Sequence, residues 1–444
     1  MLKIIYIICP LILLLFFIES APAKNYHGRF TTGSYVSKET FKESYTKADS
    51  NDVAIVSNRL FFNISEFQRK GLEVTTDLRD KHDFFEKVDR EKLELTGNNT
   101  FQVRQLSLLY NSNNGLMSTQ SGRFPIPSAG AVNVDGLNFN LSFNSSLTSG
   151  VYGGFNPQND EVSYLEFNQD AKIYGGYFLY QSTSNNWDRY AYLVNAITIK
   201  QYKSEIDRTF LYHNMVWQKT RRSRLITLLN LDFVPNTNVQ NAMISFYRQI
   251  SILTDMTASI YSYDVIEYKR RREIRERLEA SPYREARIQA RLKTRGNLIY
   301  STKLLHGERE KDDLTNTTIS AGFTFKRFIN RHFTASYFLG HRNKYGNEEY
   351  FLKSNIGYFS SKWEFMLDNQ TSMEQKSGKK TDYPIVTEFS TGYIYSKTIF
   401  ITLALHHAMD QYVDIYGGYL RLSYRFGNTK TANIRDGAAP METL

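Results

Sequence analysis

The residues from Tyr416 to Phe426 alternate between two kinds of side chain. One set is Tyr416, Gly418, Leu420, Leu422, Tyr424 and Phe426; the other is Gly417, Tyr419, Arg421, Ser423 and Arg425. A repeat of two is the repeat of a β-strand, whose successive side chains leave on opposite faces. The apolar face suits hydrocarbon. An arginine pair at membrane depth would be costly there, so that face must look into a wet interior.

The same pattern recurs upstream. Ile399, Ile401, Leu403 and Leu405 alternate with Phe400, Thr402, Ala404 and His406, and Ile319, Ala321, Phe323 and Phe325 with Ser320, Gly322, Thr324 and Lys326. Leu137, Phe139, Leu141 and Phe143 alternate with asparagines and a serine, and Leu225, Leu229, Leu231 and Phe233 oppose Arg224, Asn230 and Asp232. Each run covers about 9–13 residues, the length a tilted strand needs to cross a bilayer. After the N-terminal segment no apolar stretch approaches the roughly 20 residues of a membrane helix. The chain nonetheless carries 31 Tyr and 30 Phe against 9 Pro, with a polar mean hydropathy of −0.45. Aromatic-rich strands that are apolar on one face account for that combination.

The linkers supply a second test. Counting back from Phe426 gives 22 candidate strands, within a range of 18–22, whose connections alternate short and long. The short set includes Gln68–Lys70, Ser112–Asn114, the Lys219–Arg222 turn and Ser396-Lys397; the long set includes 37–52, 79–100, 123–136, 156–170 and 268–284. Soluble two-sheet sandwiches also alternate, but so many strands would need several domains, and no Pro/Ser/Gly-rich linkers separate them. The expected fold is all-β: a transmembrane antiparallel up-and-down barrel over residues 24–426, with short periplasmic turns and long outer loops. With both termini periplasmic, the strand number must be even.

The ends frame that barrel. Lys3, the apolar Ile4–Ile18 and the small residues Ser20 to Ala23 form a secretory signal, so residues 1–23 are expected to be removed near Ala23. The single cysteine, Cys9, leaves with them, and the mature chain has no disulfide to hold it. Gly427 to Leu444 reads as a disordered periplasmic tail. Bacterial outer membrane is the expected location, with its lipids, lipopolysaccharide and the barrel-assembly machinery as partners. Nucleic acid is not an expected partner in that compartment, although basic residues exceed acidic ones, 55 to 45. The densest basic run, Lys269 to Arg277 within an outer loop at 268–284, interleaves glutamates. It reads as a solvated loop with helical charge pairs, or as a patch that grips lipopolysaccharide phosphates.

No G-x-S-x-G, H-E-x-x-H, Walker or zinc-spaced Cys/His pattern occurs, and no cofactor or metal is expected. His406 and His407 are adjacent on a strand and point to opposite faces, so they cannot share an ion. His341, Asp368, His406 and Asp410 fall near strand tops, but with 8 histidines and 45 carboxylates such proximity arises by chance. An enzyme is not expected.

The segment Arg123 to Gly136 (RFPIPSAGAVNVDG) is the most distinctive. Pro125 and Pro127 exclude it from a paired central strand, and its apolar character would suit packing inside the lumen better than exposure at the rim. An inward-folded constriction loop anchored by an Arg123–Asp135 pair is one reading; an ordinary Pro/Gly rim loop is the other.

The alternating aromatic-rich strands and the terminal Tyr-Leu-Arg-Leu-Ser-Tyr-Arg-Phe together resemble the outer-membrane β-barrel superfamily, porins included. Gly122-Arg123 and Val134-Asp135-Gly136 resemble a segment of uncharacterised barrel proteins of deltaproteobacteria, a likeness that implies no activity. The first candidate strand begins near His27, which leaves no room for the plug of an energised transporter. The leading expectation is a porin-like channel for small polar or anionic solutes. The alternative is a barrel scaffold whose outer loops serve adhesion or cell-surface recognition. The candidate pore-lining residues are Lys326, Lys353, Glu364, Asp368, Glu388, Arg421 and Arg425, expected to set up a transverse field across the lumen.

Overall fold

In the computed structural model the alternating runs become 22 strands, each hydrogen-bonded to the next, and the first closes on the last. The structure describes residues 25–42, 51–67, 70–84, 99–157, 169–182, 189–264, 266, 282–294, 296–310, 314–327, 329–344, 346–375 and 380–428. The expected signal at 1–23, the basic run Lys269–Arg277 and the tail from residue 429 onward lie outside these residues.

The first half comprises β1 (Asn25–Phe41), β2 (Asn51–Ser65), β3 (Leu72–Asp83), β4 (Asn99–Asn111), β5 (Met117–Ile126), β6 (Val132–Asn144), β7 (Leu147–Phe155), β8 (Ala171–Gln181), β9 (Tyr190–Tyr202), β10 (Glu205–Thr220) and β11 (Ser223–Val234). The second half comprises β12 (Asn238–Gln249), β13 (Thr254–Tyr263), β14 (Tyr283–Lys293), β15 (Leu298–Arg309), β16 (Leu314–Lys326), β17 (Phe333–Lys344), β18 (Asn347–Phe359), β19 (Trp363–Gln375), β20 (Ile385–Ile394), β21 (Ile399–Met409) and β22 (Val413–Gly427). All pairings are antiparallel, and β1 meets β22 from His27 opposite Gly427 to Phe41 opposite Val413. Closure pairs the first strand with the last, so the sheet lacks the two free edges an open sheet would present to lipid.

Both ends of the barrel chain lie at one rim, where connections are brief: residues 145–146, 221–222 and 360–362 each join a pair of strands. At the other rim the spans 42–50, 84–98, 156–170 and 264–282 are longer, though Lys203-Ser204 makes a tight turn there. Several strands run past the expected limits: β1 continues to Phe41 and β3 to Asp83. Beyond the hydrocarbon neither face needs to be apolar, so those extensions carry no alternation to read.

Residues directly opposite in register share a face, which sorts the side chains without ambiguity. Leu420, Leu339, Ile319, Ile260, Ile288, Phe139 and Val151 all fall on the outside and remain exposed. In a water-soluble molecule such a belt would be an aggregation surface; here it is the face that suits a bilayer. Aromatic girdles border it. Near the rim of short turns, Trp363 stacks on Tyr393 at 4.2 Å, Phe333 meets Tyr358 at 4.9 Å, and Phe62 stacks on Phe426 at 5.9 Å. Toward the opposite rim His407 stacks on Tyr416 at 4.3 Å and His341 meets Tyr350 at 4.6 Å. Amphipathic rings at both levels fit the two interfaces of a membrane.

Candidate functional site

The segment 123–136 is a hairpin, not an irregular loop, and its tip packs on the inner face of β7–β9. Pro125 stays in β5 opposite Asn133 of β6, and a single 3-10 turn at Pro127–Ala129 joins the two strands. Proline is tolerated because the strand has lost its other neighbour: β4 accompanies β5 only as far as Leu106 opposite Arg123. On the far side β6 and β7 part after Asp135 opposite Phe155. Above those points the hairpin tip belongs to no wall.

Two glycines sit opposite each other where the tip departs, Gly122 and Gly136. Gly122 has φ +106°, and a Cβ on it would collide with the Leu106 carbonyl oxygen. A Cβ on Gly136 would collide with the Gly153 carbonyl. Only glycine lets the hairpin bend inward while the neighbouring backbones stay so close.

One residue further in, Arg123 grips Asp135 through Nε and Nη2, both at 2.6 Å, and its Nη1 donates to the Val103 carbonyl at 3.1 Å. The side chains are 3 % and 1 % exposed. Arg123 thus holds the base of the hairpin and also reaches the stretch of β4 that β5 has left. Beyond this clamp Phe124, Ile126, Ala129 and Val134 are buried against Tyr152, Ile173, Tyr177 and Ala196 on the inner face of β7–β9. Gly130 at the tip lies on the Tyr212 ring of β10. Burying Phe124, Ile126 and Val134 contributes about 1.5–3 kcal/mol each. Beneath it Tyr152 and Thr198 share a hydrogen bond of 2.6 Å, and Tyr177 donates to Asn140.

The register puts all seven candidate lumen residues on the inner face. Lys326 is opposite Thr334, Lys353 opposite Phe338 and Gln370, and Asp368 opposite Asn355 and Glu388. Glu388 is opposite His406, Arg421 opposite Thr402 and Gly33, and Arg425 opposite Arg29. They do not face one another across the bore, however, as a transverse field would require. They lie side by side on one wall, β16 to β22, with Glu364, Asp368 and Glu388 between lysines on one flank and arginines on the other. Glu364 and Arg421 share a row three strands apart, about 14 Å along the wall. The field therefore runs around that wall. Asp232, on the opposite side at β11, is taken up by Arg208 at 2.8 Å, which also donates to Gln240 at 2.7 Å.

The charged wall carries two arginines that sequence reading passed over, Arg29 and Arg59. Arg59, Arg421 and Arg425 are all within Coulombic reach of Arg29, and Asp77 binds Arg59 through two bonds of 2.8 and 2.7 Å. Glycines and β-branched polar residues dilute the alternation in β1 and β2, which hid their faces. In β10 a register shift between Ile206 and Arg208 inverted the parity and concealed Arg208 in the same way.

His341 points outward and Asp368 inward, so the wall separates them. His406 faces the lumen over Gly417 and stacks on Tyr35 at 5.9 Å, whereas His407 faces outward and binds Asp414 at 2.8 Å. Asp410 caps a turn, accepting from the backbone of Tyr412 and Val413 at 2.7 Å each. Among the described residues no group of three His, Cys, Asp or Glu side chains is placed to hold a metal ion.

A closed antiparallel barrel with an apolar exterior, an inward hairpin and a charged inner wall defines the class: a transmembrane β-barrel. No family model matches the chain, and no curated protein sequence does. Solved structures do. A BenF-like porin from Pseudomonas fluorescens Pf-5 aligns with TM-score 0.47 at 9 % identity, covering 91 % of this chain and 99 % of that one. Pseudomonas aeruginosa OpdQ aligns with TM-score 0.45 at 8 % identity over 91 % and 98 %, and Acinetobacter baumannii OccAB4 with 0.44 at 8 % over 92 % and 99 %. At these identities the likeness is one of fold alone.

Proposed function

We propose that the protein is a porin-like channel of the bacterial outer membrane, passing small polar or anionic solutes by diffusion. One observation carries the reading: Lys326 and Lys353, on the inner face of the wall, are solvent-exposed, as side chains in a watery bore are and those in a packed core are not. Size supports it. Twenty-two strands about 4.8 Å apart and tilted by about 40° give a circumference of about 140 Å, a cylinder about 44 Å across between backbones. The hairpin spans four strand spacings, β6 to β10, which is about 25 Å of that circumference. It narrows the bore on one side, opposite the charged wall, without closing it.

Purified protein in planar bilayers is expected to give stable openings of nanosiemens scale; a silent bilayer would reject the channel and leave the surface-scaffold reading in its place. The hairpin arithmetic adds a second expectation. Replacing residues 125–133 with an Asn-Gly turn should raise single-channel conductance measurably but by less than twofold. An unchanged conductance would place the narrowest passage elsewhere, and a several-fold rise would make the hairpin the principal constriction.

A further inference from the structure

At the rim of short turns the inner wall holds a second cationic feature, distinct from both the hairpin and the β16–β22 wall. Arg224 of β11 and Arg291 of β14, with Arg221 of the turn between β10 and β11, line a cavity of about 330 Å³. Gln218, Ser245, Tyr247 and Thr257 complete its polar lining. Register explains the grouping: Arg224 lies opposite Tyr247, Tyr247 opposite Thr257, and Thr257 opposite Gln289, two residues from Arg291.

The arginines are held differently. Asp255, 1 % exposed, receives Arg291 Nε at 2.7 Å and pairs with Lys293 at 2.9 Å. Because Arg291 spends its Nε on Asp255, its position is fixed while the ends of its guanidinium are left for the cavity. Asp255 offsets one of the two cations it touches. The cavity lining itself contains three guanidiniums and no carboxylate. Guanidinium forks, a phenol and a primary amide are donors aimed at oxygen anions, and two forks suit a ligand with two negative ends. The opposite wall at the same level carries Arg29 and Arg425, eleven strands around from β12, so this mouth is cationic on both sides.

From this geometry we infer that the cavity is a binding site for a compact organic dianion, a dicarboxylate or a phosphate monoester. The inference deepens the channel reading by assigning a resting place for anionic solute at the inner mouth, and it rests on that reading only for its physiological meaning. Binding itself needs no open channel. The test is a calorimetric titration of the full-length, detergent-solubilised barrel at about 50 mM salt, where exposed charges are weakly screened. Three probes are titrated: succinate, glycerol 3-phosphate and acetate.

Saturable binding of succinate or glycerol 3-phosphate, with acetate at least tenfold weaker, is the expected result, and whichever dianion binds more tightly names the source. Arg224→Gln, which leaves the Asp255 pairings intact, should weaken dianion binding at least tenfold; Tyr247→Phe should weaken it less. No saturable dianion binding, equal binding of acetate, or an Arg224→Gln variant that binds like the wild type overturns the site. A variant barrel that loses binding yet keeps wild-type conductance supports the site while leaving the channel reading untouched. Conductance without dianion binding would reject the site alone, and binding to a silent barrel would reject the channel alone.

Discussion

Replacing Asp135 alone with leucine is expected to free the lumenal hairpin from the wall while the barrel around it stays closed. The substitution leaves the Arg123 guanidinium, 3 % exposed, with the Val103 carbonyl as its remaining partner. Removing one member of a buried pair costs about 3–5 kcal/mol, because the survivor is an uncompensated charge away from water. If that cost falls on docking of the tip, the undocked fraction rises by about two to four orders of magnitude. Arg123→Met alone strands the carboxylate and should do the same. The double variant Arg123→Met, Asp135→Leu is expected to recover most of the loss, since an apolar pair of similar volume avoids the desolvation cost that the ions carry. Hydrogen exchange of the amides from Phe124 to Val134 reads the outcome directly, with the amides of β16–β22 as an internal reference. Single variants that exchange like the wild type would mean the apolar contacts of Phe124, Ile126 and Val134 hold the tip without the clamp.

How far the sequence foretold this arrangement depends on the strand. In β22 and β21 nearly every second residue is large and apolar, so the faces, the strand limits within the membrane and the inward aim of Arg421 follow from period two alone. The hairpin was legible for a different reason. Pro125 and Pro127 excluded a fully paired strand, and the run of apolar residues had nowhere wet to go. What could not be read was that Pro125 keeps one paired neighbour, because that depends on β4 falling away after Leu106. Two kinds of information were missing altogether. A bulge, as before Arg208, shifts parity by one without leaving a mark in the composition. Closure, likewise, decides which residues are neighbours across strands distant in sequence: Arg29 meets Arg425 because the first strand pairs with the last. Period two assigns a residue to the inner face; it does not say where around the circle that residue stands. The lysines, carboxylates and arginines could therefore be given a face from the sequence but not a place around the circle, where they share a wall.

That shared wall fixes what a charge reversal should do. The double variant Arg421→Glu, Arg425→Glu is expected to move the channel's ion preference toward cations by a margin visible as a change in sign of the reversal potential under a salt gradient. Arg29, Arg59, Arg421 and Arg425 stand together with Asp77 bound to one of them and Arg79 directly opposite Arg59, a local excess of four positive charges. Reversing two removes that excess. Glu364, Asp368 and Glu388 continue along the same wall, so the new carboxylates extend an acidic face already present instead of opposing a distant one. The measurement belongs near 0.1 M salt, where screening acts over about 10 Å; at 1 M it acts over about 3 Å and the effect should nearly vanish. Folding is not expected to suffer, because the new glutamates lie beside Arg29 and face the lumen, where charge carries no hydrocarbon penalty. Lys353→Glu, on the other flank of the acidic group, provides the comparison: a single reversal at a distance from the arginines should produce a smaller shift in the same direction. Identical reversal potentials for the wild type and the double variant at 0.1 M would mean that permeating ions do not pass this wall, and would move the conduction path toward the side lined by the hairpin.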